Sequence, residues 1–158
     1  MAYRLTRNAE ASFVDYITIE LAADGWTGIR VEKSFAKVYE GALPCICINS
    51  PDRPLRRREI GGNSIFKELR MDIRIFTKSD GIRLDLADWI IEKIINGINY
   101  YEYTITGGAV SSKIPKGKIT IPIVSDIENR KELVNVENLS QEDRYRHLIS
   151  FVCRISFT

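Results

Sequence analysis

The chain has 158 residues, 44% hydrophobic and 28% charged, with a formal net charge of +2. That is enough for one domain with a real core and too near neutrality for a polycation, so any electrostatic role must come from local clustering. There is no run of about 18 apolar residues to span a bilayer, and the opening MAYRLTRNAEASF has no apolar signal core, so a cytosolic product without membrane contact is expected.

Asn8 to Ala23 reads as the first helix. Asn8 is a good N-cap type, Glu10 adds charge to the first turn, and Phe13, Ile17 and Leu21 recur every four residues beside Val14. Gly25 is a stop signal. Ile29 to Phe35 alternates and predicts a short strand. Pro44 to Asn49 is a compact apolar run, which predicts a strand buried on both faces and central in a sheet. Its Cys45 and Cys47 share one face at period 2, and no second pair of ligands stands at zinc-site spacing, so buried reduced thiols are expected.

Residues 53–63, RPLRRREIGGN, form a loop bounded by Pro51, Pro54, Gly61 and Gly62. Phe66 to Thr77 is the clearest strand. Leu69, Met71, Ile73 and Ile75 point one way; Glu68, Arg70, Asp72 and Arg74 point the other, toward water or another subunit. Ser79-Asp80-Gly81 predicts a turn. Asp85 to about Asn96 predicts a helix with Leu86, Ile90, Ile94 and Ile95 on its buried side, stopped by Asn96-Gly97.

Strand character follows in Tyr100 to Ile105, Lys118 to Val124, Lys131 to Glu137 and Tyr145 to Phe157. Between the first two lies GGAVSSKIPKGK, residues 107–118, which reads as a loop. Pro122 favours an edge or a bulge. The last strand carries Ile149, Phe151, Cys153, Ile155 and Phe157 on one face, mirroring Phe66 to Thr77, so these two strands are expected to be neighbours. The sum is a single α+β domain over 1–158: an antiparallel or mixed sheet with two helices on one face, plus a β-hairpin or long-loop extension.

Motifs for chemistry are sparse. Gly61-Gly62 precedes a strand rather than a helix, which argues against a phosphate cradle for nucleotides. Asp52 with Glu68-Leu69-Arg70 loosely matches the carboxylate pattern of metal-dependent nucleases, but arginine stands where that chemistry wants lysine. His147 is the sole histidine and has no evident partner for acid–base work, and no GxSxG elbow is present. No catalytic residue, metal or cofactor is expected. Two basic segments remain: Arg53, Arg56, Arg57 and Arg58, followed by Glu59, Gly61, Gly62 and Asn63; and Lys113, Lys116 and Lys118. Exposed arginines contact phosphates well. Neither segment interleaves aromatics for base stacking, and no helix carries a basic face to enter a groove. A solvated loop, a loop that orders at a protein interface, and a direct nucleic-acid contact by a small binding protein all stay open.

The order of features (an amphipathic helix, PCICIN, a loop ending RRREIGGN, the alternating ELRMDIRIF, an SDG turn and RLDLADWIIEKI) resembles the tail terminator and neck proteins of tailed bacteriophages over roughly residues 8 to 100. The resemblance implies an α+β subunit without catalytic residues that forms a closed ring, usually a hexamer. The ring caps the tail tube and joins it to the head–tail connector, with DNA passing through its centre without sequence readout. Partners would be copies of itself, the tail tube protein, the connector protein and, in tails that have one, the sheath. The protein would be assembled in the host cytoplasm and reside in the virion neck. Carried over, Arg53 to Asn63 would occupy the place of the interface loop, and Glu68, Arg70, Asp72 and Arg74 a sheet face available for subunit contact. The strong basicity of the loop departs from the family and leaves open whether it meets tail tube, neighbour or DNA. Alternating charges on the outer row suit a head-to-tail interface; a solvated sheet face is the other reading.

Overall fold

Helix α1 (Leu5–Ala23) carries Leu5, Ala9, Phe13, Ile17 and Leu21 every four residues, and all five are buried. This row lies on the inner face of a seven-stranded mixed sheet, with the Phe13 ring 5.7 Å from that of Phe151. Seen whole, the chain is α+β with two helices on one face of the sheet; the computed structural model describes residues 4–33, 38, 40–55, 58, 60, 61, 65–133 and 145–158. The strands are β1 (Arg30–Glu32), β2 (Cys45–Asn49), β3 (Glu68–Phe76), β4 (Ile98–Thr106), β5 (Ala109–Thr120), β6 (Glu128–Leu133) and β7 (Tyr145–Phe157), with α2 (Asp80–Ile94) between β3 and β4. Their order is β1-β2-β3-β7-β5-β4, with β6 also on β7. Among the described residues β1 and β2 run parallel and every other pair is antiparallel.

The expected neighbourhood of β3 and β7 is present along the whole of β3, from Glu68 opposite Arg154 to Phe76 opposite Arg146. Leu69, Met71, Ile73 and Ile75 join Ile149, Phe151 and Cys153 under the helices. The other edge of β7 is divided. β5 takes Arg154 to Phe157 and β6 takes Tyr145 to Ser150. Between these partners the chain at 121–127 arches off the sheet; Pro122, which has no N–H to donate, lies just past the end of β5.

Several local expectations are corrected. The first helix begins at Leu5, and Asn8 is buried within it rather than capping it, its amide donating to the Tyr100 hydroxyl at 3.4 Å. The second helix begins at Asp80: Ser79 is its N-cap, its hydroxyl accepting from the Ile82 N–H, and Asp80 pairs with Arg83. The stretch 107–118 is not a loop. Gly107 and Gly108 alone form the turn, at φ +61° and +84°, and β5 begins at Ala109. The strand expected over Lys118 to Val124 ends at Thr120. β1 is shorter than the alternating run that predicted it, β6 begins earlier than Lys131, and residues 34–37 and 134–137 lie outside the described residues.

The outer edge of β4 is covered by side chains of α1 rather than by another strand. Ser12 Oγ accepts from the Tyr101 N–H at 3.1 Å and donates to the Asn8 carbonyl at 2.8 Å. Arg7 donates to the Tyr103 carbonyl at 3.0 Å, and the Tyr103 hydroxyl donates to Asp15 at 2.7 Å. Edge groups satisfied in this way offer no template for another chain. Beyond them the β4–β5 hairpin continues past the body of the sheet. At its root, a Cβ added to Gly117 would lie 2.0 Å from the Ser156 carbonyl oxygen, so only glycine allows β5 to reach β7.

Ser12→Ala should destabilise the fold by about 1 kcal/mol, because it leaves the half-buried Tyr101 N–H without its acceptor. Urea titration followed by circular dichroism would read this as a lower midpoint at unchanged slope.

Candidate functional site

The polar row of β3 was expected to be open for subunit contact, and the structure corrects this for its acids. Glu68 is 1% exposed and Asp72 7%. Glu68 accepts from Arg154 at 2.7 Å, and Asp72 accepts from the Ser150 hydroxyl at 2.7 Å. Both partners stand on β7 in register, so each acid has a partner across the strand pair. Arg70 reaches Asp52 at 3.3 Å, and Arg74 contacts both Asp72 (3.4 Å) and Glu132 (3.3 Å). Glu132 on β6 also receives Arg146 at 2.6 Å. Alternation in the sequence reports which face a residue takes, not what later covers it. A cavity of about 470 Å³ lies on this face between the row and the 121–127 arch, lined by Glu68, Arg70, Ile123, Asp126 and Arg154 among others.

His147 has partners that its sequence position does not reveal. Arg83, itself 3% exposed, donates from Nη1 to His147 Nδ1 at 2.8 Å. A guanidinium can only donate, so Nδ1 is the acceptor. Nε2 then carries the proton and donates to Asn129 Oδ1. Both ring nitrogens are engaged and the residue is 4% exposed, which leaves no lone pair to take a proton from a substrate. Burial, and after it the Arg83 charge, pushes the imidazole below its ordinary pKa; Asp88 acts weakly the other way. The ring joins α2 to β6 through β7.

The two basic segments have different fates. Of the first, Arg56, Arg57, Glu59, Gly62 and Asn63 lie outside the described residues. Arg53 is half-buried, Arg58 is exposed, and Gly61 sits at φ +82°. In the second, Lys113 is bound to Asp15 at 3.0 Å and stands over the Tyr101 ring at 4.2 Å. Lys116 and Lys118 are exposed on β5. The fold brings Arg58 of the first and Lys116 and Lys118 of the second toward the C-terminal end of β7. There a cleft of about 390 Å³ is lined by Arg58, Phe66, Lys67, Arg154, Ser156 and Phe157 together with two isoleucines, and Lys118 stands directly across from Ser156.

The hairpin is the other exposed feature. β4 and β5 pair to the Thr106–Ala109 end, whereas β5 meets β7 only from Gly117 to Thr120. Ile105 and Val110 face each other across the ribbon, 44% and 58% exposed, and Ile114, 49% exposed, is on its opposite face. Cys45, Cys47 and Cys153 are free and buried, as their apolar strands suggested. Among the described residues no three or more His, Cys, Asp or Glu side chains cluster to hold a metal. No described helix is long and apolar enough to cross a membrane.

No protein-family model matches the chain, and no curated protein matches it either.

Two measurements check this geometry. His147 stays neutral in the folded protein to a lower pH than in the unfolded chain, where its pKa is about 6.5. As pH falls below that value the unfolded state takes up a proton that the folded state refuses, so stability is lost with acidification. Between pH 7.5 and 5.5 the protein should lose more stability than its His147→Gln variant, whose side chain does not titrate; equal losses would contradict the buried neutral ring. Burial also raises the thiols, Cys47 to about 11 and Cys153 to about 12. All three cysteines should therefore resist a thiol-reactive dye at pH 8 in buffer and react at once in denaturant.

Proposed function

We propose that this chain is a structural, non-enzymatic subunit of a tailed bacteriophage neck: a tail terminator ring that caps the tail tube and joins it to the head connector, with DNA passing through its centre. The order of motifs over residues 8–100 suggests the family, and the α+β fold is of the kind that the resemblance implies.

The observation that carries the reading is the β4–β5 arm. A two-stranded ribbon with no third strand is marginal in water. Here it carries Ile105, Val110 and Ile114 exposed on two faces, and β5 has no strand partner over 109–116 on its other edge among the described residues. Such an arm gains burial and backbone hydrogen bonds by lying against a neighbour. A neighbour receiving it on a different surface makes a head-to-tail contact, which closes into a ring when the rotation allows. The subunit's own charges favour this division of labour. The acids of the β3 row are spent on intrachain partners, so the arm rather than that face is the contact we assign.

Light scattering of the purified protein, with negative-stain images, should give a closed ring, or a ring that forms on isolated tail tubes and caps them. The Val110→Asp/Ile114→Asp double variant should keep its Tm within a few degrees and lose assembly. A chain that stays monomeric and leaves tubes uncapped would overturn the reading.

A further inference from the structure

We infer that the cleft at the C-terminal end of β7 binds the phosphate backbone of nucleic acid. This does not rest on ring formation. Its cations come from separate segments: Arg58 from the arginine run, Lys67 from the approach to β3, and Arg154 from β7; Lys118 of β5, outside the lining, stands across the ladder from Ser156. No acid lines the cleft among the described residues.

How Lys67 and Arg58 are held distinguishes them from the carboxylate-paired cations elsewhere on the protein. Lys93 lies 2.8 Å from Glu20 and from Asp24, Lys113 sits on Asp15, and Arg74 and Arg146 share Glu132. A carboxylate that positions a cation also cancels its charge. In the cleft, Lys67 Nζ lies 4.0 Å from the centroid of Phe157, and Arg58 Cζ 5.9 Å from that of Phe66. Arg154 Cζ lies 4.0 Å from the same Phe66 ring, although its guanidinium also serves Glu68. An aromatic face orients a cation without neutralising it. Lys67 and Arg58 are thus steered by rings and keep their positive field for an outside anion, with Lys118 exposed one strand away.

Because the rings are engaged by cations, the cleft offers charge and donors rather than a stacking platform. The fitting ligand is a repeated phosphate, contacted without base preference, and not a base splayed onto an aromatic. Free inorganic phosphate shares the chemistry, but a cleft of about 390 Å³ with the exposed Lys118 one strand away, opposite Ser156, suits a chain of phosphates better than one ion.

The test is fluorescence anisotropy of a labelled 20-base-pair duplex, and of a single strand of equal length, with the full protein across 50–200 mM salt. Binding should occur with both strands, fall linearly on a log–log salt plot, and show no base preference. Lys67→Ala/Lys118→Ala, two exposed positions, should weaken binding by about tenfold and flatten the salt slope by roughly two. Lys78→Ala, beyond the other end of β3, should change neither. No binding at 50 mM salt, or an unchanged slope in the double variant with its Tm intact, would overturn the inference. So would a 20-mer that binds no tighter than inorganic phosphate at matched ionic strength, since the site would then be one for the free ion. A ring that assembles without this binding, or this binding without a ring, separates the present inference from the proposed function.

Discussion

Thirteen residues of β7 must find backbone partners along two edges, and the architecture follows from how they are met. β3 covers one edge from Arg146 to Arg154, which locks the inner rows of both strands beneath the helices. On the other edge β5 and β6 run in line, one after the other, and the chain must leave the sheet to pass between them. That departure creates the 121–127 arch and the cavity beneath it. It also limits β5 to a short grip on β7, so that over 109–115 β5 has no strand on its other edge among the described residues. α1 secures the start of the β4–β5 ribbon by meeting the Tyr101 and Tyr103 backbone with Ser12 and Arg7.

Much of this is visible in the residues, for physical reasons that also explain what is not. The i, i+4 row of α1 and the matching alternation of β3 and β7 are records of burial, and burial leaves a period in the sequence. β5 escapes detection because residues 109–116 are exposed on both faces. No buried face selects its residues, and glycine, serine and lysine then resemble a loop. The start of α2 is hidden by Gly81, a poor helix former whose cost is met by the Ser79 cap and the Asp80–Arg83 pair. His147 looked alone because Arg83 and Asn129 are distant along the chain and arrive only through packing. Of the candidate site, the basic segments were legible as composition. That Arg58 meets Phe66 while Lys118 stands across from Ser156 was not, since it depends on packing and on the register of β5 against β7.

The charges are arranged unevenly in consequence. Toward the N-terminal half of β7 the outer face is a closed network in which Glu132 holds two arginines and Asp72 holds a serine and an arginine. Such pairs fix strand register and reject wrong pairings more than they add stability. Toward the C-terminal end, rings replace carboxylates as the partners of Lys67 and Arg58. One sheet thereby has a neutralised half and a half whose field reaches solvent.

Gly117 gives this arrangement a mechanical side. Its missing side chain lets β5 lie against Ser156 and Phe157, where any Cβ would collide with backbone. The glycine therefore sits at the root of the ribbon: the body holds it at Gly117 to Thr120 and, through Asp15 of α1, at Tyr103 and Lys113, and the tip beyond them reaches out to Gly108. A methyl group at Gly117 would act at that root. Small displacements there would be carried along the ribbon, redirecting its tip while the core under the helices kept its shape.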